Sequence, residues 1–165
     1  MNRDLLQKLG KKLNLDLKFD KHEQCFISIN DSLLISIRSF IDHIVFYGMV
    51  AELTPSEVEE YNSTIYSFNL IFAEHGKATL AIDESNDTLL LIHALPSHHL
   101  SFTQFEKSLA DFITQLEKVI AEFEKFSHIE TEQGSIQQEA KNRLVNSPSK
   151  NNTTYENKDF QWKII

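Results

Sequence analysis

Four of the seven histidines, His75, His93, His98 and His99, fall close enough in sequence to suggest a metal site. Zinc needs side chains that converge, as in a His-x-x-x-His or Glu-x-x-His pair on one helix face, and neither spacing occurs. His98 and His99 are adjacent, so they diverge on a strand and lie about 100° apart on a helix. They read as a polar loop, and no metal is expected. Cys25 is the only cysteine. It makes no internal disulfide, and its place in an apolar strand-like run suits a buried thiol better than a nucleophile, which needs a basic partner. Glu59 with Glu60 and Asp83 with Glu84 look like solvated faces and turns rather than catalytic carboxylate pairs, and there is no Gly-x-Ser-x-Gly elbow. Gly10, Gly48, Gly76 and Gly134 stand too far apart to cradle a phosphate. The expectation is a protein that is not an enzyme and uses no cofactor.

The charge balance narrows the partners. Sixteen basic residues against 24 acidic give a net charge of −8, which argues against a nucleic-acid surface and against anionic membranes. The N-terminus is broken by charge before any apolar stretch forms, so no signal peptide is expected. The longest apolar run, 44–51, is far short of the roughly 18 residues of a membrane span. A reducing cytoplasm is the expected compartment.

These residues must be positioned by a mixed set of elements. Residues 2–13 place Leu5, Leu6, Leu9 and Leu13 at helical spacing, with Asn2 or Asp4 as a cap and Lys11 and Lys12 near the far end. Strand-like runs follow at 25–29, 33–37 and 44–50, joined by a tight turn at Asn30 and Asp31 and by a looser connection at 39–42. That predicts an antiparallel meander. Thr54, Pro55 and Glu57 form a capping box that starts a helix running to Gly76. Val58, Tyr61, Ile65, Phe68 and Phe72 share one face, and Tyr66, Leu70 and Ala73 make a second stripe that needs burial on two sides or a second chain. Two more strands are predicted at 78–82 and 88–95, the second apolar on both faces and therefore central. Ser101 or Thr103 opens a last helix along Phe105, Leu109, Phe112, Leu116 and Phe123, predicted to end near Phe126.

The fold class expected is α+β, in the order α-βββ-α-ββ-α, with a twisted antiparallel sheet of about five strands and three helices. Composition turns polar after Ser127, which predicts a domain over 1–128 and a polar, disordered tail over 129–165. The whole net charge sits in the domain, and residues 39–106 carry ten acidic residues and one basic, Lys77. The informative excess is apolar. Leu33, Ile35 and Ile37 alternate with Leu34 and Ser36, and 44–50 is bulky on both sides, so one sheet face needs a partner subunit, a bound peptide, or both.

Asn69-Leu70-Ile71-Phe72-Ala73-Glu74-His75-Gly76, followed by Leu80, the turn 83–87, Leu89-Leu90-Leu91, Leu95-Pro96 and a helix with Phe105, Leu109 and Phe112, resembles the class I chaperones of type III secretion, the Tir-chaperone or CesT/SycE-like family. The likeness covers roughly 4–126, and His75-Gly76-Lys77 departs from the family's Asn-Gly-Gly. The resemblance implies a cytoplasmic homodimer that holds the extended N-terminal region of secreted effectors and presents it to the secretion ATPase, without nucleotide. It implies effector grooves over the first helix and first three strands, for which Leu9, Leu13, Phe19, Phe26, Ile29, Leu34, Ile35 and Ile37 are the candidates. It also implies a dimer contact on the second helix and nearby hairpin, with Tyr66, Leu70, Ile71 and Leu80. The alternative is a dimeric adaptor or regulator that binds a folded partner through Tyr155, Phe160, Trp162, Ile164 and Ile165 of the tail.

Overall fold

Alternating apolar residues with tight polar turns can bury one face only by pairing edge to edge, and the chain does so in one five-stranded antiparallel sheet. The computed structural model describes residues 2–30, 32–75 and 78–143. Its elements are α1 (Asn2–Leu13), β1 (Gln24–Ile29), β2 (Leu33–Ser39), β3 (His43–Glu52), α2 (Pro55–His75), β4 (Thr79–Asp83), β5 (Thr88–Pro96) and α3 (Phe102–Arg143). The strand order is β1-β2-β3-β5-β4, with β5 interior, as its two apolar faces predict.

Local chemistry fixes the helix ends. The Thr54 amide donates to Glu57 Oε2 at 2.7 Å, and the Glu57 amide donates back to the Thr54 hydroxyl, completing the expected capping box. Ser101, rather than Thr103, caps α3: its amide donates to Gln104 Oε1 at 3.0 Å and its hydroxyl accepts the Gln104 amide at 3.2 Å. At the end of α1, Asn14 takes a left-handed conformation (φ 56°), and the Leu15 amide donates to the Gly10 carbonyl at 2.8 Å. Only glycine suits position 10, because a Cβ there would lie 2.6 Å from the Leu15 carbonyl oxygen.

The helices gather on one face. Ile35 and Ile37 pair with Gly48 and Phe46, and Phe46 meets Phe105 and Phe112 of α3 at 5.8 and 5.6 Å between ring centroids. Gly48 lets α3 sit directly on β3, since a Cβ there would lie 2.6 Å from Leu116. Further along, Phe123 packs on Tyr61 and Phe68 of α2. The core therefore lies between the sheet's covered face and the three helices.

The helix α3 runs to Arg143 rather than ending near Phe126. The apolar stripe does stop near there, but Glu, Gln, Ala, Lys and Arg beyond it are good helix formers without being core residues. Of the expected turns, Asp31, Gly76 and Lys77 lie outside the described residues. So do 144–165, including Tyr155, Phe160, Trp162, Ile164 and Ile165.

Candidate partner-binding surfaces

The register assigns every strand residue to a face. Phe26, Ser36 and Tyr47 are cross-strand neighbours, as are Met49 and Leu90, and Tyr47 and Ile92, so Phe26, Leu34, Val45, Tyr47, Met49, Leu90 and Ile92 share the face opposite α3. The helix contacts that the core makes, from α3 to Phe46 and Gly48, fall on the opposite face. Phe26 is 51% exposed and Leu34 39%, large apolar groups left in water on a flat, largely apolar surface. Ser36, buried on this face, is satisfied by Gln24 Nε2 at 2.6 Å.

The two edges of the sheet differ. At β4, Asn69 of α2 occupies one of the two outward-facing positions, Leu80 and Ile82: its Oδ1 accepts the Leu80 amide at 2.7 Å and its Nδ2 donates to the Leu80 carbonyl at 2.9 Å. At β1, Asp20 occupies only the start. Its Oδ1 accepts the Gln24 amide at 3.0 Å, and its own amide donates to the Gln24 carbonyl at 2.8 Å. By the period of a strand, the backbone groups of Phe26 and Ser28 point the same way as those of Gln24, and no described strand lies beyond them.

A second apolar surface lies on α2. Tyr66 and Leu70 are 72% and 67% exposed on one flank. On the other, Ile71 overhangs a groove of about 690 Å³ between α2 and α3, floored by Phe72, His93, Phe112 and Val119 and rimmed by Asp111, Lys118 and Glu122.

The candidate residues therefore separate. Phe26 and Leu34 are exposed on the face opposite α3, and Leu13 is exposed at the end of α1. Phe19 and Ile29 are half-buried against the core. Leu9, Ile35 and Ile37 are a correction: all three are core residues, with Ile35 and Ile37 under α3, and cannot line a groove in this conformation. Tyr66, Leu70 and Ile71 are exposed, whereas Leu80 is buried on the covered face beneath α2, a second correction. Alternation alone did not reveal which set faced α3, because Leu34 and Ile35 are equally apolar. Tyr47, Met49, Leu90 and Ile92 were missed as surface residues, although the bulk on both sides of β3 and β5 was the signal. Asn69 was quoted only for its place in the resemblance, since a polar residue inside a helix carries no sign of the edge it meets.

The candidate chemistry has no convergent site. Among the described residues no three His, Cys, Asp or Glu side chains come together as metal ligands. Burial pushes the Cys25 thiol up and keeps it protonated. No helix among the described residues is long and apolar enough to cross a membrane.

A sheet clothed on one face, bare and apolar on the other and open along one edge defines a protein whose conspicuous features are binding surfaces. Residues 4–119 match the model of the Tir chaperone protein (CesT) family, and the chain belongs to that family of type III secretion chaperones. The fold is similar to a chain in the structure of the HopA1-SchA chaperone-effector complex, at TM-score 0.62 and 15% identity, covering 73% of this chain and 93% of that one. It is also similar to the structure of the type III secretion chaperone SycH of Yersinia pestis in complex with a stable fragment of YscM2, at TM-score 0.54 and 17% identity, covering 72% and 99%. YbjN of E. coli, described as a putative transcription regulator, shares the fold at TM-score 0.60 and 20% identity over 75% and 92%. The three-helix, five-strand architecture is thus the expected one.

Proposed function

We propose that this chain works in the bacterial cytoplasm as a homodimer that binds the extended N-terminal region of a secreted effector, keeps it non-globular, and presents it to the secretion ATPase without catalysis of its own. The observation that carries this is the pairing of exposed Phe26 and Leu34 with the unpaired outer edge of β1. An extended segment can satisfy its backbone along that edge while placing alternate apolar side chains on the bare face. The complexes formed by structural neighbours are in keeping with this role.

The α2 surface is assigned to the second copy. Tyr66, Leu70 and Ile71 offer helix-borne apolar contacts where Asn69 already engages Leu80 on the β4 edge, which suits a preformed surface rather than an added strand.

The test is to purify the chain from its host, identify the secreted protein that accompanies it, and map the bound segment by limited proteolysis of the complex. Protection confined to a segment near the effector's N-terminus, lost in Leu34→Asp, is the expected result. A partner that is folded throughout, or one retained undiminished by Leu34→Asp, would overturn the reading.

A further inference from the structure

The chain supplies its own candidate occupant for the β1 edge. After Arg143 come 22 residues, mostly polar from Asn146 to Asp159 and ending in Phe160-Gln161-Trp162-Lys163-Ile164-Ile165, where apolar and polar side chains alternate. That period of two is a strand's, and it would put Phe160, Trp162 and Ile164 on one side.

The chain is long enough to reach the β1 edge. The helix α3 passes Phe46 with Phe105 and Gly48 with Leu116, so it leaves the sheet at the end where β3 finishes. Since Ile35 pairs with Gly48 and Ile29 with Leu33, the β1–β2 turn lies at that same end. Beyond Phe123, the last core residue, the helix extends about 30 Å to Arg143 at 1.5 Å per residue. From Arg143 to Phe160 an extended chain reaches up to about 56 Å. The return exceeds the overhang.

We propose that residues 160–165 of this chain add to β1 as a strand, laying Phe160, Trp162 and Ile164 beside Phe26 and Leu34, so that the protein covers its own bare sheet face until a partner segment displaces them. The competitor's identity rests on the function proposed above; the self-occupancy does not. A tether of this length holds the segment at an effective concentration in the millimolar range, so even weak pairing fills the site.

Trp162 is the sole tryptophan, so fluorescence of the intact chain reports this segment alone. The expected result is an emission maximum blue-shifted, and shielded from acrylamide, relative to a synthetic peptide of residues 155–165, independent of protein concentration. Both properties should revert to those of the peptide in Phe26→Asp with its circular dichroism unchanged, and in Phe160→Asp, which leaves the sheet untouched. Phe160→Asp should also tighten binding of an effector segment about tenfold, as when nine molecules in ten are self-occupied. Peptide-like emission in the intact chain, or shielding that survives both variants, would overturn the proposal. Shielding that fades on dilution would overturn it in favour of docking on a second copy. If no effector segment binds but Trp162 is shielded and released as stated, the function fails and the self-occupancy stands.

Discussion

The bare sheet face and the outer surface of α2 both hold large apolar side chains in water, yet they invite different partners. Beside Phe26 and Leu34 runs an edge whose backbone still has hydrogen bonds to offer. Beside Tyr66 and Leu70 the corresponding edge is shorter, and its Leu80 amide and carbonyl are already engaged by Asn69. Charge separates them further: residues 1–38 carry seven basic residues against five acidic, whereas 39–106 are strongly acidic. Apolar area says only that something binds. Whether the neighbouring backbone is satisfied decides between an extended segment and a preformed surface.

The largest effect should come from neighbours on one strand. Ile35→Asp puts a carboxylate in the core beneath α3 and should unfold the protein, at a cost of several kcal/mol. Leu34→Asp should leave urea unfolding nearly unchanged while weakening effector-segment binding by at least about 2 kcal/mol, or thirtyfold, in calorimetry. Equal loss of fold in both would erase the distinction between faces.

Next in size, Tyr66→Asp combined with Leu70→Asp should convert the proposed dimer to monomer in analytical ultracentrifugation while each chain still binds a segment at β1. Loss of segment binding in the monomer would make the two surfaces one site. Asn69→Ala should cost about 1–3 kcal/mol by leaving the Leu80 amide and carbonyl without partners, and should raise self-association at high concentration in light scattering. Unchanged stability and association would mean that the β4 edge was never exposed to pairing.

The smallest effect is on pH. The Thr54 amide holds the Glu57 carboxyl below its ordinary value of 4.5, so the stability it contributes is present above that value and is lost as pH falls through the lowered one. Amide protection factors in the first turn of α2, corrected for the intrinsic pH dependence of exchange, should therefore fall below about pH 4.5 in the wild type. In Glu57→Gln that acid limb should be flatter, and an identical pH profile would remove Glu57 as its source.

Elements that depend on local chemistry were legible in the sequence. The capping box at Thr54, the turn of polar residues between β4 and β5, and the stripe through Phe105, Phe112 and Phe123 are each written within a few residues. The assignment of faces was not, because it depends on Gly48 and Leu116, 68 positions apart, meeting across the core. Ile35 and Ile37 were misplaced for that reason. The extra length of α3 was hidden differently: helix propensity persists where burial stops.

The Asn69 amide has a consequence for assembly. A sheet with two available edges is a bifunctional monomer, able to grow end to end without limit. Because Asn69 already holds the Leu80 amide and carbonyl, a strand pairing along β4 would have to displace it, which biases sheet growth toward a single addition at β1, whether the added strand is a client's, its own, or another copy's β1. A protein that keeps one adhesive edge in water can thereby remain a small, countable complex instead of a fibre.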